Sequence, residues 1–127
     1  MIWKVVIWMK DINLLKSNGI NVDEAIELLG DTEMYEETLS DFVEESKERN
    51  KKMEEYMKNR DMANYAILVH ALKSDSKYLG FTKLADMAFE HQMKSQENNI
   101  NYVRDHYKEL MDEDERILKL VSEYLKS

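Results

Sequence analysis

Cysteine is absent from this sequence, so neither a disulfide framework nor thiolate chemistry is available to it, and a reducing compartment carries no penalty. Proline is absent as well, and the only glycines are Gly19, Gly30 and Gly80, each between two runs of helical period, which marks them as joints. Positive charge is in deficit: 18 lysines and arginines against 26 acids give 18 − 26 = −8. Nucleic-acid binding needs clustered positive charge and is not expected from such a balance. Long apolar runs are missing too. Ile2, Trp3, Val5, Val6, Ile7, Trp8 and Met9 form a short one, interrupted by Lys4. A bilayer span takes ~20 apolar residues, and a signal peptide needs a longer apolar core with a small-residue cleavage site. The run therefore reads as an extra element that packs on the rest of the chain or on a second copy. Met9 is an alternative start, and a membrane-surface role lacks its basic face. No membrane insertion and a cytoplasmic location are expected.

What is present is helical period. A chain of 127 residues fits one domain with one core. From Thr32 to about Asn59 an apolar stripe runs through Tyr35, Leu39, Phe42, Val43, Met53, Tyr56 and Met57, with Asp31 as N-cap. The charge gradient suits the dipole of one long helix: Asp31 to Glu45 holds seven acids and no base, and Lys47 to Arg60 holds six bases. Asp61 is placed to cap a second helix ending at Gly80, Thr82 a third to about Glu97, and Asn99 a last one. There Ile100, Val103, Tyr107, Leu110, Ile117, Val121 and Tyr124 keep the period. Four helices of roughly 15 residues or more with short joints predict an all-α, antiparallel four-helix bundle with short extra N-terminal helical elements.

The second helix carries the chemistry. At 3.6 residues per turn Ala66, His70, Lys73, Ser74 and Lys77 fall on one side, and Met62, Ile67 or Val69, Leu72, Ser76 and Leu79 on the more apolar one. His70 is thereby expected to face solvent with lysines at i+3 and i+7, a row suited to an anion on an imidazole. Between Ala63 and Lys83 three lysines (Lys73, Lys77, Lys83) stand against one acid, Asp75, a positive island on a negative molecule that would attract an acidic partner pocket.

The segment Leu68-Val69-His70-Ala71-Leu72-Lys73-Ser74-Asp75-Ser76-Lys77-Tyr78-Leu79-Gly80 resembles the signature of histidine-containing phosphotransfer (HPt) domains, in which a helix carries His-x-Leu-Lys-Gly-Ser and a glycine closes the motif. Gly19 to Gly30, followed by Tyr35 and Phe42, looks like the opening helices of such modules. Leu84 to Glu90 is similar to the helix that follows the phosphorylated one. The resemblance covers Ile12 to Leu110, and implies residues 1–10 as an apolar extension and 11–127 as a single HPt-like bundle domain. Two positions depart from the pattern. Ser74 stands where glycine is usual but is small enough to leave His70 open, and Asp75 stands where a small neutral residue is common. Asp75 either lies off the face or tunes the local field.

The resemblance implies a phosphocarrier of a two-component phosphorelay, with His70 as the phosphorylated nucleophile exchanging phosphoryl groups with receiver-domain aspartates. Lys73 would stabilise the phosphoryl oxygens, Lys77 would lend electrostatic support, Ser74 would allow access and Gly80 would close the motif. The partners implied are a response-regulator receiver domain and a hybrid sensor histidine kinase, met by a monomer. Catalytic carboxylates and Mg²⁺ would come from the receiver, because the chain has no glycine loop to cradle a nucleotide and so no expected kinase activity of its own. The alternative is a non-phosphorylated helical adaptor or scaffold that binds a receiver or another protein.

Other candidates have plainer readings. His91 and His106 have no cysteine or carboxylate at ligand spacing and are expected as packing or surface residues. Methionines such as Met34, Met53, Met57, Met62, Met87 and Met111 read as core filler, and Tyr56, Tyr65, Tyr78, Tyr102 and Tyr107 as bundle aromatics with wet hydroxyls. The run Asp112-Glu113-Asp114-Glu115 reads as a solvated turn or kink, since a Ca²⁺ loop would need glycine and spaced ligands.

Overall fold

Asp31, Asp61 and Asn99 each close the start of a long helix by accepting a backbone N–H through the side chain, from Met34, Asn64 and Tyr102 respectively. A computed structural model describes residues 10–127, and among them all regular structure is helical. The helices are α1 (Ile12–Lys16), α2 (Val22–Leu29), α3 (Thr32–Lys58), α4 (Met62–Leu79), α5 (Thr82–Gln96) and α6 (Ile100–Lys126). The last four pack as an antiparallel bundle: α4 lies between α3 and α5, and α6 closes the ring against both of those neighbours. The short α1 and α2 cover one end with Leu15, Ile20, Val22 and Ala25. The apolar run expected to pack on the bundle or on a second copy falls within residues 1–9, outside the described residues.

Thr82 does not cap α5. Phe81 takes that place without a side-chain hydrogen bond, and its ring is buried edge-on against Phe42 at 5.2 Å. Packing here replaces the polar cap that periodicity suggested. Gly80 sits at φ 82, the left-handed conformation that ends α4, and its carbonyl accepts the N–H of Asn21 at 2.9 Å. A Cβ at this glycine would run into the Asn21 carbonyl. The joint after the His70 helix is thus also the seat of the α1–α2 cover. Tyr35 of α3 supports the same spot, its hydroxyl donating to the Leu79 carbonyl at 3.3 Å.

The acidic run near the middle of α6 is neither a turn nor a kink, because α6 is continuous through it. Glu113 and Asp114 point inward and are buried. Glu113 takes two hydrogen bonds from Arg116, at 2.9 and 2.8 Å, and lies 3.8 Å from Lys83. Asp114 accepts from Asn50 at 2.7 Å, and burial pushes its carboxyl above the usual range. Side-chain partners on neighbouring helices make this burial tolerable, and no periodicity argument could see them. Tyr65 is likewise not wet. It is fully buried, and its hydroxyl shares a hydrogen bond with Nδ1 of His91 at 2.8 Å. Among the methionines Met53 and Met62 are core, whereas Met34 is exposed.

Gly80→Ala is expected to cost about 1–3 kcal/mol, more than Gly19→Ala, because both residues pay for positive φ but only the former meets a backbone carbonyl. Urea unfolding of the two variants checks the difference. His91 generates a pH dependence. Burial is the main cause that lowers its pKa to about 4, against ~6.5 in the unfolded chain. The folded state therefore binds its proton less well, so this contribution is intact above pH ~6.5 and is lost as pH falls towards 4. At about 1.4 kcal/mol per unit, on the order of 3 kcal/mol disappears over that window. His91→Gln, which keeps a hydrogen-bonding group for Tyr65, should remove that loss when stability is followed by urea titration between pH 7 and 4.

Candidate functional site

The helix bearing His70 forms because a capped start and a left-handed glycine end bracket residues without a breaker, and it buries Met62, Tyr65, Val69, Leu72, Ser76 and Leu79. His70 is exposed, as its spacing predicts, and Lys77 with it; Lys73 and Ser74 are half-buried. One assignment on this helix needs correction: Ala66 is buried rather than facing outward. Of Ile67 and Val69 it is Val69 that joins the apolar side, Ile67 being 65% exposed. The contact surface with α5 lies slightly further round α4 than an apolar count indicates, because small Ala66 lets α5 approach while Tyr65 and Val69 fill the interior.

His70 Nδ1 donates to the Gln92 side-chain oxygen of α5 at 3.1 Å. In the neutral ring an acceptor at this place favours the tautomer with the proton on Nδ1 and the lone pair on Nε2. His70 and Gln92 line a shallow groove with Ala63, Ala66, Ile67 and Ser95. On its other side Lys73, Ser74, Lys77 and Gly80 share a cleft of about 610 Å³ walled by Asn21 and Leu28 from the α1–α2 end. The structure thus brings the lysines, the small residue and the glycine into one cleft, with His70 one turn away on the same helix. Ile67, Tyr78, Phe89 and Met93 on the two helices are exposed apolar side chains.

Asp75 is off the face. Its carboxylate accepts from Arg49 of α3 at 2.9 Å, and Arg49 is buried against Phe42. Lys83 does not join the positive island either, since it turns towards Glu113 of α6. The cationic ground is narrower than the sequence suggests and consists of Lys73 and Lys77. His91 is a packing residue and His106 a surface one; the latter has a carboxylate neighbour after all, Glu109 at 3.2 Å.

Gln92 escaped the sequence reading. Its only signal is position: with α4 and α5 antiparallel across a tight joint, residue 92 falls opposite residue 70, which follows once the pairing of the helices is known. What the arrangement can do is hold one imidazole nitrogen and present the other to solvent, with ammonium groups one and two turns further along the same helix. Gln92→Leu should release this preference. ¹⁵N-resolved NMR of the His70 ring is expected to show predominantly the Nδ1–H tautomer in the parent protein and a shift towards Nε2–H in the variant, without loss of helix content.

The family model of the Hpt domain matches residues 37–116. The match runs from within α3 to the middle of α6 and contains His70, Lys73, Ser74, Lys77, Gly80 and Gln92. No curated protein and no solved structure matches the chain. With most of the chain matched, including the helix that carries His70 and the one that holds its ring, this protein belongs to the Hpt domain family, whose members act in histidine phosphotransfer within phosphorelays.

Proposed function

We propose that this protein is a phosphocarrier in which His70 accepts a phosphoryl group from a receiver-domain aspartate and returns it to another. The observation that carries the reading is the His70–Gln92 hydrogen bond, which leaves Nε2 as the nucleophile on an exposed helical position. Nε2 attacks the phosphorus of the aspartyl phosphate in line. The bond from phosphorus to the carboxyl oxygen breaks, its electron pair returns to the aspartate, and Nδ1 keeps its proton on Gln92 throughout. Lys73, and more distantly Lys77, meets the charge on the transferring oxygens. The apolar rim of Ile67, Phe89 and Met93 gives a receiver surface to dock on.

Mg²⁺ and the carboxylates that hold it are assigned to the receiver. The chain's three glycines all lie at positive φ in joints, where none forms a nucleotide-cradling loop, so the phosphate must arrive from a partner. Residues 11–127 act in this reading as one bundle domain. His70→Gln is the test. Incubated with a phosphorylated receiver domain and Mg²⁺, the parent protein should take label on His70, read by mass spectrometry under conditions that preserve phosphoramidates. The variant should take none while keeping its melting temperature and its affinity for the receiver. Label on His91 or His106 instead would sink the assignment; a parent protein that binds receivers yet never takes label would be a scaffold.

A further inference from the structure

Gln92 and His70 form one rung between α5 and α4, and Lys73 with Phe89 forms the next. Lys73 follows His70 by three residues on α4, Phe89 precedes Gln92 by three on α5, and the two helices run antiparallel. The Lys73 ammonium lies over the Phe89 ring, 5.4 Å from its centroid. Core packing does not account for this phenylalanine, which is 45% exposed. An ammonium is attracted to an aromatic face by the ring quadrupole. Such a partner differs chemically from a carboxylate, which neutralises the cation, as Glu113 does for Lys83 at 3.8 Å. A ring restrains a lysine from one side only, and leaves its net charge and its donors unspent.

We infer that Phe89 is a positioning residue for phosphoryl transfer, whose ring holds the Lys73 ammonium beside His70 with its charge intact. The inference rests on the phosphocarrier reading of His70. Helix α5 then supplies both restraints of the site, Gln92 for the nucleophile and Phe89 for the cation, from positions one turn apart. A floppy lysine would have to be ordered as the phosphoryl group arrives; a lysine already resting on a ring loses less freedom at that moment.

The test separates this role from receiver docking by using a donor that has no docking surface. Phosphoramidate transfers its phosphoryl group to an imidazole nitrogen as the donor's P–N bond breaks and ammonia leaves, so the rate of His70 labelling reads the site alone. Phe89→Leu should slow labelling roughly two- to fivefold, the range expected for a cation–π contact near the surface. Phe89→Tyr, which keeps the ring face, should restore the parent rate. In a Lys73→Gln background, already slower, Phe89→Leu should make no further difference. NMR should show the Lys73 ε-methylene protons shifted upfield by the ring in the parent and in Phe89→Tyr, but not in Phe89→Leu. A Phe89→Leu rate equal to the parent, the same slowing in the Lys73→Gln background, or the absence of the upfield shift in the parent overturns the inference. A parent protein that takes no label on His70 defeats the phosphocarrier reading itself, and the inference with it, a result distinct from labelling that ignores Phe89.

Discussion

The left-handed turn at Gly80 is the constraint on which the rest of the site depends. Only two residues, Gly80 and Phe81, separate the end of α4 from the start of α5, so the register between these antiparallel helices has little freedom. Once Gly80 takes φ 82 and Phe81 buries its ring, residue 92 is set opposite 70 and residue 89 opposite 73. The same glycine lets the Asn21 backbone close against it, which seats α1 and α2 at the mouth of the lysine cleft. A side chain at this position would disturb the register, the cover and the cleft together.

Charge is sorted by depth around that frame. Arg49 and Asp114 face inward between α3, α4 and α6, with the partly exposed Asp75 and Asn50 as their respective partners. Arg49 Nε and Nη2, Asp114 Oδ1 and Ser76 Oγ are left without a partner among the described residues. Such a layer contributes little net stability, and its partners must be matched across three helices, so it favours one arrangement of them over others. Its consequence for the surface is that Asp75 is held off the His70 face. The outward row then keeps Lys73 and Lys77 without a close acid on the same helix, although the molecule as a whole carries a charge of −8.

The two rungs across α4 and α5 illustrate different restraints on neighbouring groups. A neutral amide oxygen selects a tautomer without altering the charge of the ring, and an aromatic face restrains an ammonium without cancelling it. Neither restraint takes away what the group needs for phosphoryl chemistry. Both come from one helix, whose other face is anchored by buried Leu84, Ala88 and His91. The Tyr65–His91 hydrogen bond ties that buried face of α5 back to α4, so the helix presenting Gln92 and Phe89 is held by the core as well as by the joint.

The sequence by itself determined the helices and the exposed row. Asp31, Asp61 and Asn99 are caps by local chemistry, Gly80 is a joint because glycine takes the left-handed backbone most readily, and 3.6-residue spacing is enough to put His70 and Lys77 on one outward side. These are interactions among residues close in the chain, so they can be read along it. Whatever depends on two helices meeting was decided only in the tertiary structure. Ala66 turned inward in the groove it lines with α5, Asp75 left the face because Arg49 lies 26 residues away in sequence but 2.9 Å away in space, and Glu113 and Asp114 of the acidic run are buried beside Lys83 and Asn50 of neighbouring helices. Gln92 and Phe89 belong to this second group. Periodicity states which side of a helix is apolar, but which residue stands across from His70 follows from the length of a joint and the register of two packed helices, and both are properties of the folded chain.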